Sequence, residues 1–273
     1  MKHTGYLIEK FIKDGKVPEC PVYDMHGHMG NFSRIHFPMG NASPEIMRER
    51  FDKAGVKMLV FCHHWTLFSP DIGNEANIST VRKLPDRLRA YCGLNPNYPE
   101  IIQKDVDEFE KYEDVFVGFK MLADYHQLPI THKNYSAAWK YADKKKLLVL
   151  LHTWGNSPMD GHEQVRKVAE KYHNARILMG HSCHGEWDKT IELMKDFPNV
   201  YAELCAVTDE RGVLEKIVAE AGSKKILFGT DWPWFNHHYY IGSVLDAGLS
   251  DDALHNIFHR NAEKLLKPLV KNL

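Results

Sequence analysis

The sequence has no long apolar segment, no cysteine pair and no excess of one charge. No apolar run approaches the roughly 20 residues that a membrane-spanning helix needs. The five cysteines are scattered and form no Cys-x-x-Cys pair, so we expect neither a disulfide framework nor a thiolate zinc knuckle. Lys and Arg number 35 against 36 Asp and Glu. This balance gives no electrostatic reason to expect a nucleic acid or a membrane as partner.

The N-terminal segment also lacks the uninterrupted apolar stretch of a signal peptide. We therefore expect a cytoplasmic protein. No linker, repeat or low-complexity segment divides the chain. The prediction is a single domain over 1–273, with a core at about 22–266 and a short helical extension over 1–20.

What the sequence does contain is a regular alternation of short apolar runs and amphipathic segments. The spacing is about 34 residues per unit, which is typical of βα repeats with parallel strands. An open doubly wound sheet is the alternative, but the first run ends in DMHGHMG, without the Gly-rich turn of that fold. The pattern predicts an α/β protein of the (β/α)8 TIM-barrel type. Its predicted strands are 22–26, 57–62, 88–94, 115–122, 147–152, 175–181, 199–204 and 225–231.

Several of the 17 histidines stand where a predicted strand ends. His26 and His28 share one face of an extended strand, so both imidazoles can reach one metal ion. The alternative is a pair of loop histidines, one of them satisfied by Asp24. Asp24 lies on the same face and can orient a ligand.

Three more polar residues end predicted strands five, six and eight, namely His152, His181 and Asp231. In a barrel these strand ends meet at one rim, where the active sites of this fold lie. A lone histidine there is more often structural, and Asp231 can instead cap the turn that follows. Nitrogen and oxygen ligands without a thiolate favour zinc, with manganese or iron as alternatives.

The motifs DMHGH, LLH, GH, LFGTDWPW and IFHRNAEKLL together resemble the amidohydrolase superfamily. The branch most similar to them is amidohydrolase-2, which includes aminocarboxymuconate-semialdehyde decarboxylase and resorcylate decarboxylase relatives. The resemblance runs from Tyr23 to Leu266. It implies that His26, His28, His152 and Asp231 bind a metal ion. It also implies that His181 faces the substrate as an acid, base or electrostatic group, or binds a second metal.

Two further residues raise the question of a second metal ion. Lys120 lies where binuclear members of the superfamily can carry a carboxylated, bridging lysine, but it can equally bind an anionic substrate group. Glu203 ends predicted strand seven and can pair with Lys120, act as a base, bind a metal or be a solvated strand end. We expect one ion, with two as the alternative. Other residues of predicted loops can shape a pocket, although surface positions are the simpler interpretation: His63, His64, His126, Trp154, Arg34 and Trp232.

The leading expectation for the reaction is hydrolysis of an amide, ester or lactone. A divalent ion activates water, Asp231 accepts its proton, and His181 stabilises the oxyanion or protonates the leaving group. The alternatives are non-oxidative decarboxylation of a carboxylated aromatic or muconate-like acid, and a non-catalytic metal-binding or ligand-binding barrel. The chain looks short for the decarboxylase relatives, which favours hydrolysis. The expected partner is a small-molecule substrate, and the aromatic segment WPWFNHHYY is compatible with a pocket lid or a homodimer interface.

Overall fold

The computed structural model describes residues 5–29, 44–271 and 273 and contains an eight-stranded parallel sheet. The strands follow one another in chain order, and each pairs in parallel with the next. This confirms the predicted (β/α)8 barrel. The strands are β1 (Val22–Met29), β2 (Val56–His63), β3 (Leu88–Gly93), β4 (Phe116–Met121), β5 (Leu148–Trp154), β6 (Arg176–His184), β7 (Val200–Glu203) and β8 (Ile226–Leu227).

The segment after β8 closes the barrel by running along β1. The backbone N–H of Met25 donates to Phe228 at 2.9 Å, and that of Asp231 donates to the carbonyl of His26 at 2.8 Å. A parallel bridge joins Gly27 to Trp232. The predicted strand 225–231 is therefore correct in position, but only two of its residues, Ile226–Leu227, form a strand paired with β7.

Helices cover the outside of the sheet. None of the helices that the structure describes has the length and hydrophobicity to cross a bilayer. The helices are α1 (Tyr6–Asp14), α2 (Pro44–Ala54), α3 (Pro70–Lys83), α4 (Pro99–Glu108), α5 (Ala123–His126), α6 (Ser136–Lys145), α7 (His162–Lys171), α8 (Trp187–Asp196), α9 (Val213–Ala221), α10 (His237–Asp246), α11 (Asp251–His255) and α12 (Asn261–Leu266).

The helix α1 lies within the range 1–20, is amphipathic and ends at Gly15 with a left-handed φ of 72°. The apolar face of α1 lies against α10, where Leu7 and Phe11 meet Ile241 and Leu245. The α1 helix therefore packs on the barrel through the helix that follows β8.

The barrel interior is filled by apolar side chains and is covered at one end by α12. Met25, Tyr91 and Leu150 belong to the inner cluster, and so do Ala262 and Leu266 of α12. Since apolar residues close this end, the polar strand ends lie together at the other.

Asn261 attaches α12 to the barrel. It is buried, and its side-chain amide donates to the carbonyls of Ser223 and Ile226, both at 2.8 Å. This contact gives a physical role to the asparagine of the IFHRNAEKLL motif, because it satisfies two carbonyls just before β8.

We expect Asn261→Ala to destabilise the fold by about 1–3 kcal/mol, because two carbonyls lose a buried donor. For a domain of this size that corresponds to roughly 2–4 °C in Tm per kcal/mol. Thermal unfolding followed by circular dichroism measures the change. Asn156→Ala, at an exposed position, is the matched control and should leave Tm almost unchanged. Equal Tm values for the two variants would contradict the role of Asn261.

Candidate metal centre

The two histidines of β1 each direct their Nε2 atom at the carboxylate of Asp231. His26 and His28 are both buried, with Gly27 between them. Nδ1 of His26 lies 2.8 Å from Oε2 of Glu203, and Nδ1 of His28 lies 2.9 Å from the carbonyl of Cys62. Each ring therefore keeps its Nε2 atom for the interior of the site.

Asp231 is the carboxylate that both rings face. Its Oδ1 lies 3.3 Å from Nε2 of His26 and 3.0 Å from Nε2 of His28. The residue adopts a left-handed φ of 56°, a strained backbone conformation for a residue with a side chain. The bond from its N–H to the carbonyl of His26 holds it there.

The donor atoms of His26, His28 and Asp231 all lie within 4.8 Å of one another. Oδ1 of Asp231 is buried and has no hydrogen bond of good geometry among the residues that the structure describes. Burial acts to raise the pKa of this carboxyl, but His26 and His28 beside it hold the pKa well below its usual range. Two imidazole nitrogens and an ionised carboxylate that converge without hydrogen-bonding one another fit a divalent cation.

Lys120 and Glu203 are both buried, and each contacts a different nitrogen of the His26 ring. Nζ of Lys120 lies 3.1 Å from Nε2 of His26, and burial lowers the pKa of the lysine. Glu203 accepts hydrogen bonds from the backbone N–H of Cys205 at 2.7 Å and of His181 at 3.2 Å. Burial raises its pKa to about 8. Glu203 is fully buried, so it is not a solvated strand end.

His181 lies beside this group, whereas His152 is farther away. The ring of His181 is 5.2 Å from that of His26 and 4.7 Å from that of His152. Burial lowers the pKa of His181 to about 4. The donor atom of His152 instead lies within 4.8 Å of those of Asp124 and Asp160. The structure thus brings three of the four predicted ligands into one group and places His152 in another.

Two aromatic rings stand next to His28, and two more pack on them. The four are here called the aromatic wall: His64, Phe68, Tyr125 and Trp234. His64 and Trp234 lie 5.0 and 5.4 Å from His28, and 5.2 Å from each other. Tyr125 is 5.7 Å from His64 and 5.4 Å from Phe68. Phe68 and Tyr125 are not singled out by the sequence, because they belong to short helical turns and loops after β2 and β4 whose course no motif indicates.

Most other predicted loop residues serve the packing of the barrel rim. His63 contacts Thr80 at 2.9 Å, and His126 contacts the carbonyl of Leu67 at 2.6 Å. Trp154 is the exception, since its exposed ring lies 5.5 Å from His181. The remaining two are Trp232, which stacks on His237 at 4.9 Å, and Arg34, which lies outside the described residues.

Asp24 contacts backbone groups, Thr230 and the imidazole of His237, and not the imidazole of a predicted metal ligand. Its carboxylate accepts from the backbone N–H of His26 at 3.0 Å and from the hydroxyl of Thr230 at 2.5 Å. Nε2 of His237 lies 2.9 Å from the same carboxylate. Asp24 therefore connects β1 to the closing segment and to α10. The sequence does not predict the contact between Asp24 and His237.

The chain is similar to known proteins along most of its length. The amidohydrolase family model matches residues 23–267. None of the curated proteins matches the sequence. Among solved structures, 2,6-dihydroxybenzoate decarboxylase from Rhizobium is 16% identical with a TM-score of 0.68, covering 90% of this chain and 98% of its own.

Two further similar structures contain manganese. One is a dihydroxybenzoic acid decarboxylase from Polaromonas sp. JS666 with the inhibitor 2-nitroresorcinol, at 15% identity, a TM-score of 0.69, and coverage of 90% and 97%. The other is 5-carboxyvanillate decarboxylase from Novosphingobium aromaticivorans with 4-hydroxy-3-methoxy-5-nitrobenzoic acid, at 12% identity, a TM-score of 0.71, and coverage of 92% and 97%.

The expectation of hydrolysis is wrong. It depended on the chain being short for a decarboxylase, yet the match covers 97% or more of each of these three decarboxylases. The preference for zinc also has no counterpart in the two metal-containing structures, both of which hold manganese.

The site requires glycine at position 229. A Cβ atom there would lie 2.0 Å from Oε1 of Glu203 and 2.9 Å from Cβ of His26. We expect Gly229→Ala to displace Glu203 and to cost about 1–3 kcal/mol, as overpacking of a filled interior does. Chemical denaturation measures the loss.

The control is Gly242→Ala in α10, where an added Cβ would meet nothing within 4 Å. An alanine at a helix-interior position should gain up to about 1 kcal/mol. The same stability for both variants would show that the approach of Gly229 to Glu203 is not a constraint.

Proposed function

The chain belongs to the amidohydrolase family, and on that premise we propose that it is a metal-dependent decarboxylase of carboxylated aromatic acids. The similarity to decarboxylases of dihydroxybenzoate and carboxyvanillate supports this reaction. The observation that carries the proposal is the position of the aromatic wall against the three converging donors.

An aromatic acid has a flat ring and a carboxylate, and the two parts match the two halves of the site. Phe68 and Tyr125 are the exposed rings of the aromatic wall, and they offer apolar ring surface on which a substrate ring can pack. The carboxylate would then point at the donors of His26, His28 and Asp231. A muconate-like chain lacks the planar ring that this wall suits, so we favour an aromatic substrate.

We propose that His26, His28 and Asp231 hold one divalent ion, with manganese as the first choice and zinc or iron as alternatives. The buried Oδ1 of Asp231 is the feature that fits an ion best. His152 stays the predicted fourth ligand, although its donor atom lies in the group with Asp124 and Asp160. Nζ of Lys120 lies 3.1 Å from Nε2 of His26, the nitrogen assigned to the ion. We therefore assign Lys120 to the site itself, where it would bind an anionic group of the substrate rather than bridge two ions.

An ion held by His26, His28 and Asp231 would supply the positive charge that attracts the carboxylate of the substrate. The reaction breaks the bond between the ring and the carboxylate, releases carbon dioxide and leaves a proton on the ring carbon. Asp231 and His181 are the two proton carriers that face the site. Their pKa values are well below the usual range and about 4, respectively. Neither therefore holds a proton at neutral pH, and the proton has to arrive with the substrate or from solvent.

The proposal predicts that the manganese-loaded full chain releases carbon dioxide from a carboxylated phenol such as 2,6-dihydroxybenzoate or 5-carboxyvanillate. In deuterium oxide the product should carry one deuterium at the former carboxyl carbon, visible by NMR. Asp231→Asn and His181→Asn should each lower kcat by about 10²–10⁴-fold if they carry the proton. Circular dichroism checks that both variants remain folded.

The methyl esters of the same acids are the matched control for hydrolysis. A folded, metal-loaded protein that cleaves the esters and releases no carbon dioxide from any carboxylated phenol would overturn the decarboxylase proposal. Full activity of Asp231→Asn would leave the reaction in place but remove the proposed role of that carboxylate.

A second prediction concerns the support of the metal ligands. Glu203→Ala removes the partner of Nδ1 of His26, and such losses behind a ligand typically lower metal affinity about 10–100-fold. Glu203→Gln keeps an acceptor oxygen and should lose less. Competition with a fluorescent chelator measures the affinity for manganese.

Glu192→Ala, at an exposed position of α8, is the control and should bind manganese as the wild type does. Unchanged affinity in Glu203→Ala would show that the contact with His26 has no part in metal binding.

A further inference from the structure

A second cluster of metal-binding side chains lies at the opposite end of β1 from the candidate metal centre. Cys20 precedes the first residue of β1, whereas His26 and His28 are near its last. Six residues of strand between Val22 and His28 correspond to about 20 Å. His255 ends α11, and His259 lies in the π-helical turn Asn256–Arg260 that follows.

The donor atoms of Cys20, His255 and His259 all lie within 4.8 Å of one another. Nδ1 of His255 is 2.9 Å from Nε2 of His259. The histidines are four residues apart in HNIFH, a spacing that places two imidazoles on one helix face and that zinc sites use. Cys20 supplies a sulfur atom from outside the helix, so the cluster has two nitrogen donors and one sulfur donor.

The surroundings of His259 favour the tautomer that a metal ligand needs. Its Nδ1 lies 3.2 Å from Oε1 of Glu263, an ion-pair distance. A carboxylate at Nδ1 favours the proton on that nitrogen, which leaves the lone pair of Nε2 directed at His255. The separation is that of the carboxylate–histidine–zinc pattern, and the contact needs a small rotation to become a hydrogen bond of good geometry.

The cluster is accessible from solvent, and the lowered pKa of His255 favours its neutral imidazole. Cys20 is 4% exposed, but both histidines are only half-buried, so an ion can reach the cluster from solvent. Burial, together with His259 and Arg260, lowers the pKa of His255. Burial raises the pKa of Cys20 to about 12, so binding of an ion displaces a proton from the thiol.

We infer that Cys20, His255 and His259 form a second metal site, suited to zinc, which joins the segment before β1 to the closing helices. Two imidazoles and a thiolate are a donor set that zinc takes in tetrahedral geometry. The fourth position is open to water. The site does not depend on the proposed reaction, because β1 separates it from the candidate metal centre.

Cobalt(II) bound to the full-length protein tests this inference, because a thiolate ligand gives cobalt a charge-transfer band in the near ultraviolet. The candidate metal centre of His26, His28 and Asp231 has no sulfur donor and gives no such band. We expect a band that saturates at one sulfur-bound ion per chain and disappears when zinc is added. Cys20→Ser should abolish it, and His255→Gln or His259→Gln should weaken cobalt binding at least about 10-fold.

Cys205→Ser is the matched control, because Cys205 also lies in a group with two histidines, His26 and His181. This variant should keep the band. A band that survives in Cys20→Ser and disappears in Cys205→Ser would overturn the inference, and so would the absence of any band in the wild type. In protein whose candidate metal centre is already loaded with manganese, zinc should also raise Tm of the wild type and of Cys205→Ser more than that of His255→Gln. This measurement decides the question even if Cys20→Ser fails to fold.

Discussion

The closure of the barrel along β1 is the constraint on which the candidate metal centre depends. The three backbone bonds from the closing segment to β1 join Met25 to Phe228, His26 to Asp231 and His28 to Trp232. These bonds set the register between the two histidines and the aspartate, because His26, His28 and Asp231 each lie at or next to one of the bonded positions. Asp24 strengthens the same junction through Thr230 and His237. A shift of one residue would turn the alternating side chains of β1 away from Asp231.

Burial gives this junction its chemistry. Lys120 and Glu203 are almost fully withdrawn from water, and burial moves the pKa of each toward its neutral form. Asp231 stays ionised beside His26, whose pKa burial holds well below its usual range. An ionised carboxylate in such surroundings is costly unless a cation accompanies it. A divalent ion therefore explains why this donor set can be buried, and the supports of His26 and His28 explain why it converges on one point.

The sequence predicts the strands well, because each barrel strand is a short apolar run whose end carries a polar residue. His26, His28 and Asp231 follow from that rule, since the rim of a barrel brings its strand ends together. The contact between Glu203 and His26 cannot be predicted from the sequence, because a carboxylate at a strand end can equally face solvent, a lysine or a histidine. The aromatic wall is also beyond the sequence, since Phe68 and Tyr125 depend on the path of loops. The sequence does not predict the choice between hydrolysis and decarboxylation for the same reason. The same metal ligands serve both reactions, and the loops around the site determine which substrate binds.

In the two proposals, the two ends of β1 carry two different kinds of metal site. At its C-terminal end, oxygen and nitrogen donors meet an aromatic wall, so an ion there has room for a substrate. At its N-terminal end, a thiol and two helix-borne imidazoles face one another beside a carboxylate, so an ion there is enclosed by side chains. Apolar residues of the barrel interior and of α12 lie between them. Thiolate favours zinc and carboxylate tolerates manganese, so the two sites can select different ions from the same pool. An ion at the lower site would hold α11 and α12 to the chain just before β1, and so would stabilise the strand on which the upper site is built.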